Sequence, residues 1–176
     1  MIITIGGTAG SGKSTVAKLL AKRLGYTHYS MGDLQRQIAE EKHISLLELS
    51  KIEEEDRSLD EEVDQKQIDL GRKEDNFVID ARLGYHFIPN SVKVYLDADF
   101  EERANRIFAD RVRNELNVNL ENTMENMRTR EKSEKKRWTE YYHLDPADKN
   151  QYDLVVDTTS LSPEQAVDKI IEFIKK

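Results

Sequence analysis

Cysteine is absent from this 176-residue chain, which excludes disulfides, Cys-ligated zinc and thiol catalysis. Histidine is scarce. The four residues, His28, His43, His86 and His143, are scattered, and none lies at i, i+4 from a carboxylate. A histidine metal site is therefore not expected, and surface or strand-end roles account for them. No apolar run approaches the roughly 20 residues needed to span a bilayer. Met1 leads directly into a strand-like segment, so no signal peptide is expected. No internal repeat or low-complexity linker is visible. Positive charge is in deficit: charged residues make up 35% of the chain and the net charge is −7. That balance argues for a soluble protein and against non-specific binding to nucleic acid or an anionic membrane. The expectation is one cytoplasmic domain over residues 1–176, long enough to bury a real core.

What is present is a repeated alternation. Five short segments read as strands: 2–7, 26–30, 76–81, 92–98 and 152–158. Most are rich in Val, Ile or Tyr, as strands buried on both faces tend to be. Long stretches of helical composition separate them. The alternation predicts an α/β fold with a doubly wound parallel sheet and ligands at the carboxyl ends of its strands. The last helix is punctuated by Ser162 as N-cap, Pro163 as first helical residue and Gln165 as capping-box partner. Asp99 and Glu102 suggest a similar start for the helix before it. Two helical segments look inserted into the framework: an acidic one over 32–73 and a highly charged one over 107–138.

The motif "GTAGSGKS", Gly7–Ser14, matches G-x-x-x-x-G-K-S in full, after a strand and before a helix. Glycines let backbone N–H groups turn inward around phosphate oxygens, and the helix N-terminus adds its dipole. The cradle comprises Gly7, Thr8, Ala9, Gly10, Ser11, Gly12, Lys13, Ser14 and Thr15. Lys13 is expected to reach the β/γ-phosphates and the Ser14 hydroxyl to ligate Mg²⁺. Neither D-x-x-G nor N-K-x-D occurs, which removes GTPases and favours a small kinase.

The other strand ends deliver Ser30, Asp33 and Arg36, then Asp80 and Arg82, then Arg103 and Arg106. Asp80 is expected to hold Mg²⁺ through water. In "RTREKSEKKRW", Arg130, Glu134 and Arg137 fall at i, i+4 and i+7 on one helix face. Two arginines two turns apart span about 10 Å, which suits neighbouring phosphates, with Glu134 holding both guanidinium groups. A solvated charged face is the competing account. Guanidinium pairs fit phosphate oxygens. A phosphate acceptor is already ionised and needs no general base; a hydroxyl acceptor would need one, and Asp33 is the candidate. A nucleotide-binding regulator without turnover is a third possibility.

Nearly end to end, through "GTAGSGKST", "SMGDLQRQIA", "FVIDARLG", "VYLDADFEERANRI", "RTREKSEKKRWTEYY" and "YDLVVDTTSLSPEQAV", the chain resembles the cytidylate kinases of the nucleoside monophosphate kinase family, in their short archaeal-like form. The resemblance implies a five-stranded P-loop kinase with a monophosphate-binding insert at about 32–73 and a mobile lid at about 107–130. It implies ATP as donor and CMP or dCMP as acceptor, bound by a monomer. Arg36, Arg82, Arg130 and Arg137 fall where the family clamps the acceptor phosphate or the transferring group. Arg106 falls where a lid arginine meets ATP, and residues near Thr159 to Leu161 where adenine is cradled. The chain departs from the bacterial pattern after strand three, where Ala81 and Leu83 interrupt D-G-R-D, and after strand two, where Met31 and Gln35 stand. An acceptor for the cytosine amino group must then come from elsewhere. Asp60, Asp64 and Gln67 share one helix face and fall where similar short kinases place polar residues towards the base. Asp64 and Gln67 are the expected base readers, with a solvated acidic face as the alternative.

Overall fold

In the computed structural model, which describes residues 1–110 and 119–175, all five expected strands form. They are β1 (Ile2–Gly7), β2 (Thr27–Ser30), β3 (Phe77–Asp80), β4 (Val92–Asp97) and β5 (Leu154–Asp157). They build one parallel sheet in the order β2-β3-β1-β4-β5. Alternation decides which side chains go to which layer. Ile3 and Ile5 of β1, Val78 of β3 and Val94 and Leu96 of β4 pack on one face, against Val16, Ala17, Leu20 and Ala21 of α1 (Lys13–Leu24) and Val167 and Ile170 of α8 (Pro163–Ile174). Phe77 and Ile79 point to the other face, under Met31, Val63 and Leu70. The central strands β1 and β3 are covered on both faces and are mostly apolar, whereas the edge strands β2 and β5 are more exposed.

Between β2 and β3 the chain forms three helices, α2 (Met31–Glu41), α3 (Leu46–Glu55) and α4 (Ser58–Lys73). These correspond to the segment expected as the monophosphate-binding insert. The short α5 (Gly84–Phe87) follows β3. After β4 come α6 (Phe100–Ala109) and the 23-residue α7 (Leu120–Tyr142). The middle of the expected lid, residues 111–118, lies outside the described residues; the flanking parts belong to α6 and α7. Among the described residues no helix is long and apolar enough to cross a membrane.

The capping box at α8 forms: the Ser162 hydroxyl accepts from Gln165 N, and Ser162 N donates to the Gln165 side chain. The expected cap at α6 differs. Asp99 occupies the N-cap position without a side-chain cap, and Glu102 accepts from Arg106 Nε at 2.8 Å. Its carboxylate serves an arginine one turn on.

Leu20 is fully buried in the layer that holds α1 against the sheet. Leu20→Ala should lower the unfolding free energy by about 2–5 kcal/mol, from lost burial plus the cavity left behind. Urea denaturation of the purified variant measures it.

Candidate active site

The P-loop turns back on itself at the end of β1, and two of its glycines are obligatory. Gly7 has φ 130°, and a Cβ there would lie 2.2 Å from the Leu96 carbonyl oxygen. Gly10 has φ 80°, and its Cβ would lie 2.5 Å from the Arg103 carbonyl oxygen. Only glycine permits that conformation and that approach. The loop is stitched by Ser11 Oγ and Lys13 Nζ, which donate to the Thr8 carbonyl at 2.9 and 2.6 Å. The helix α1 begins after Gly12 with no side-chain cap and no acidic residue in its first turn. Its N-terminal amides and dipole therefore suit an anionic ligand.

Asp80, the last residue of β3, is buried beneath this loop. Its Oδ1 accepts from Ser14 Oγ at 2.9 Å and Ser30 Oγ at 3.0 Å, and its Oδ2 meets His28 Nε2 at 2.9 Å. Ser30 is the register partner of Asp80, so sheet pairing itself delivers that hydroxyl. The Ser14 hydroxyl and the Asp80 carboxylate are hard oxygen donors, which fit a Mg²⁺ that keeps several waters and leans on substrate phosphates. His28, expected to be incidental, is a direct partner of Asp80.

The cleft above Asp80 is lined by Ala9, Gly12, Lys13 and Ser14 on one side. Opposite them lie Gln35, Arg36, Asp64, Gln67, Arg82 and Arg130, from α2, α4, the β3 end and α7. Arg36 pairs with Asp33, whose side chain is 65% exposed. Glu134 is buried and holds two guanidinium groups, as expected, but the pair is Arg82 and Arg130 (3.8 Å). Burial, followed by the like charge of Arg130, lowers the Arg82 guanidinium from its ordinary value. It stays protonated at neutral pH, and it lies over the Trp138 ring.

Arg137 departs from the expected clamp. It is 1% exposed and does not line the cleft. Its Nη1 meets Glu53 of α3 at 2.7 Å and Asp60 of α4 at 2.6 Å. One helical turn separates it from Glu134, but the neighbour covering its face of α7 is the α3–α4 pair. A buried guanidinium needs that counter-charge. Burial pushes Glu53 up to about 7 even against Arg137, and it also raises Asp60. Gln35 donates to Glu53 at 3.4 Å, joining α2 to the same cluster. Glu53 sits in the run "IEEED", where nothing separates it from its solvated neighbours; Asp60, expected on the base-reading face, is engaged by Arg137.

Asp64 and Gln67 do share the cleft. Tyr142 at the end of α7 donates its hydroxyl to Asp64 Oδ2. Gln67 is 3% exposed; its Nε2 donates to the Val63 carbonyl at 3.4 Å, and its Oε1 has no hydrogen-bond partner among the described residues.

Arg106 lies on the other side of the loop. It donates to the carbonyls of Thr158 (2.7 Å) and Thr159 (3.2 Å) and to the Thr158 hydroxyl (3.2 Å). There it borders a cavity of about 310 Å³ shared with Gly10, Gly12, Thr15, Leu161 and Ser162. Arg103, noted in the sequence only as a neighbour of Arg106, is buried. It ties the Ala9 carbonyl (3.2 Å) to Glu131 of α7 (2.5 Å).

A parallel sheet in this order, with a phosphate loop after β1 and arginines facing it across a cleft, defines a P-loop kinase fold. Shikimate kinase from Bacteroides thetaiotaomicron shares it, with a TM-score of 0.68 at 16% identity over 100% of this chain and 99% of that one. Residues 2–160 match the model of the cytidylate kinase-like family, and the chain belongs to that family. It is 43% identical to the cytidylate kinase of Natronomonas pharaonis, over 93% of this chain and 84% of that protein. It is 40% identical to that of Methanothermobacter thermautotrophicus, over 93% and 99% respectively.

The buried cluster has a measurable signature. Arg137→Met leaves two buried carboxylates without their cation and should cost about 3–5 kcal/mol in urea denaturation. Glu53 is held above its ordinary value. Its stabilising contribution is thus complete below about pH 4.5 and is lost as pH rises through about 7. The stability of wild type relative to Glu53→Gln should accordingly fall across that window.

Proposed function

We propose that the protein transfers the γ-phosphoryl group of ATP to CMP, and to dCMP. One observation carries the reading: a single cleft sets Lys13 and Ser14 of the P-loop opposite Arg36, Arg82 and Arg130. Two anionic substrates can meet there. The loop amides and Lys13 hold the donor phosphates. Arg106 and the segment from Thr158 to Leu161 border the donor's nucleoside side. Arg36 takes the acceptor phosphate, and Arg82 and Arg130 neutralise the moving group, where positioned positive charge counts most. Glu134 keeps these two guanidinium groups together. Ser14 and Asp80 would hold Mg²⁺, which would supply charge neutralisation to the phosphates when bound. The acceptor phosphate is ionised, so no base is required. Asp33, the base of the hydroxyl-acceptor alternative, is exposed and engaged by Arg36, which favours the phosphate acceptor. Asp64 and Gln67 read the base: cytosine presents an amino donor where uracil presents a carbonyl, and both residues supply acceptor oxygens. The reading carries with it a cytoplasmic enzyme acting on small nucleotides.

A coupled assay of ADP release across CMP, dCMP, UMP and AMP tests it. CMP should give the highest kcat/KM, and Lys13→Ala should abolish turnover with the fold intact by circular dichroism. Asp64→Ala and Gln67→Leu should narrow the gap between CMP and UMP while leaving the ATP parameters nearly unchanged, because a hydrogen-bonding site rejects a mismatched base through its unpaired groups. Turnover of a hydroxyl acceptor that is lost in Asp33→Asn would overturn the reading.

A further inference from the structure

Asp64 can favour cytosine over uracil only as an acceptor. Ionised, it has acceptors alone and matches the amino group; protonated, it can donate and so tolerate the uracil carbonyl. What keeps it an acceptor is therefore part of the specificity. Tyr142 is placed for that task. Its hydroxyl donates to Asp64 Oδ2, which occupies one oxygen, favours the ionised form and leaves Oδ1 as an acceptor on a side chain that lines the cleft.

The ring of Tyr142 is itself confined. Phe87 of α5 meets it edge-on at 5.7 Å, the His86 ring lies at 6.4 Å, Tyr141 at 6.2 Å, and the Arg57 guanidinium sits 5.3 Å from its centroid. A phenol held on several sides has few ways to point elsewhere. We propose that Tyr142 is a specificity-determining positioning residue, whose hydroxyl fixes Asp64 as the acceptor for the pyrimidine amino group. The inference rests on the base-reading role of Asp64 and deepens it.

The charges around Asp64 come from each element packed on it. Asp60 of α4 opposes its ionisation. Arg57, just before α4, and Arg137 of α7 favour it, as does the Tyr142 hydrogen bond, while burial is the largest influence and pushes it up to about 6. His86 of α5 and Glu53 of α3 lie one neighbour further out, on Tyr142 and Arg137. Removing the phenol hydroxyl takes away a group that favours the charged form, so the carboxyl must titrate higher. Asp64 then spends part of its time as a donor at neutral pH.

The experiment measures kcat/KM for CMP and UMP from pH 5.5 to 8 in the full-length protein, with Tyr142→Phe and Asp64→Asn beside wild type. The ratio of the two substrates cancels ionisation of the phosphate they share, which titrates near 6. Wild type should hold its CMP preference above about pH 7 and lose it as pH falls through about 6. Tyr142→Phe should move the midpoint up by about one pH unit, to about 7, and so lower the ratio at pH 7 by about twofold. Asp64→Asn should give a low ratio that does not vary with pH. Tyr142→Phe with the wild-type ratio and midpoint, while Asp64→Asn loses the preference, would sink the role of Tyr142 and leave Asp64 as reader. An Asp64→Asn enzyme that keeps the preference would remove the base-reading premise itself. Equal losses towards CMP and UMP in Tyr142→Phe, with an unmoved ratio, would mark the phenol as structural and overturn the proposal.

Discussion

The carboxylate of Asp80 gathers three parts of the chain at one point. Ser14 brings the start of α1, Ser30 and His28 bring β2, and Asp80 itself closes β3. A buried carboxylate is costly unless its lone pairs are used, and here both oxygens are. That demand sets the position of the P-loop helix relative to the sheet edge, and the cleft above it takes its floor from the result. In the proposed reaction the arginines on the facing wall depend on this fixed floor, since phosphoryl transfer is mostly positioning and charge.

A second constraint works at the opposite wall. Arg137 joins α7 to α3 and α4, and Gln35 extends the connection to α2. On the same helix, Glu134 holds Arg82 and Arg130, and Tyr142 holds Asp64. One helix thus carries the groups that hold Arg82 and Arg130 on one side and Asp64 on the other. Arg103 links that element back to the P-loop at the Ala9 carbonyl, through Glu131, the residue after Arg130.

Much of this was legible in the sequence where local chemistry decides it. The P-loop could be read because glycine at positions 7, 10 and 12 is a backbone requirement. The central strands could be read because burial on both faces demands apolar runs. Gln67 and Asp64 could be placed on one face by helical spacing alone. Spacing does not say which neighbour covers a face, however. Arg137 follows Glu134 on α7, yet it turns to carboxylates from α3 and α4, brought near by tertiary packing rather than by any local signal. Glu53 is hidden in an acidic run for the same reason, and the partnership of His28 with Asp80 depends on the register of β2 against β3.

The buried Arg137 cluster also gives the molecule an uneven response to heat. Hydration of charged groups becomes less favourable as temperature rises, so the penalty for keeping Glu53, Asp60 and Arg137 out of water shrinks, while the stabilisation per unit of apolar area levels off. The apolar layers that hold α1 and α8 to the sheet gain nothing comparable. Warming therefore shifts the balance of cohesion from the sheet core towards the joint between the three-helix insert and α7. The wall of the cleft that faces the P-loop is the part of the fold whose relative hold strengthens with temperature.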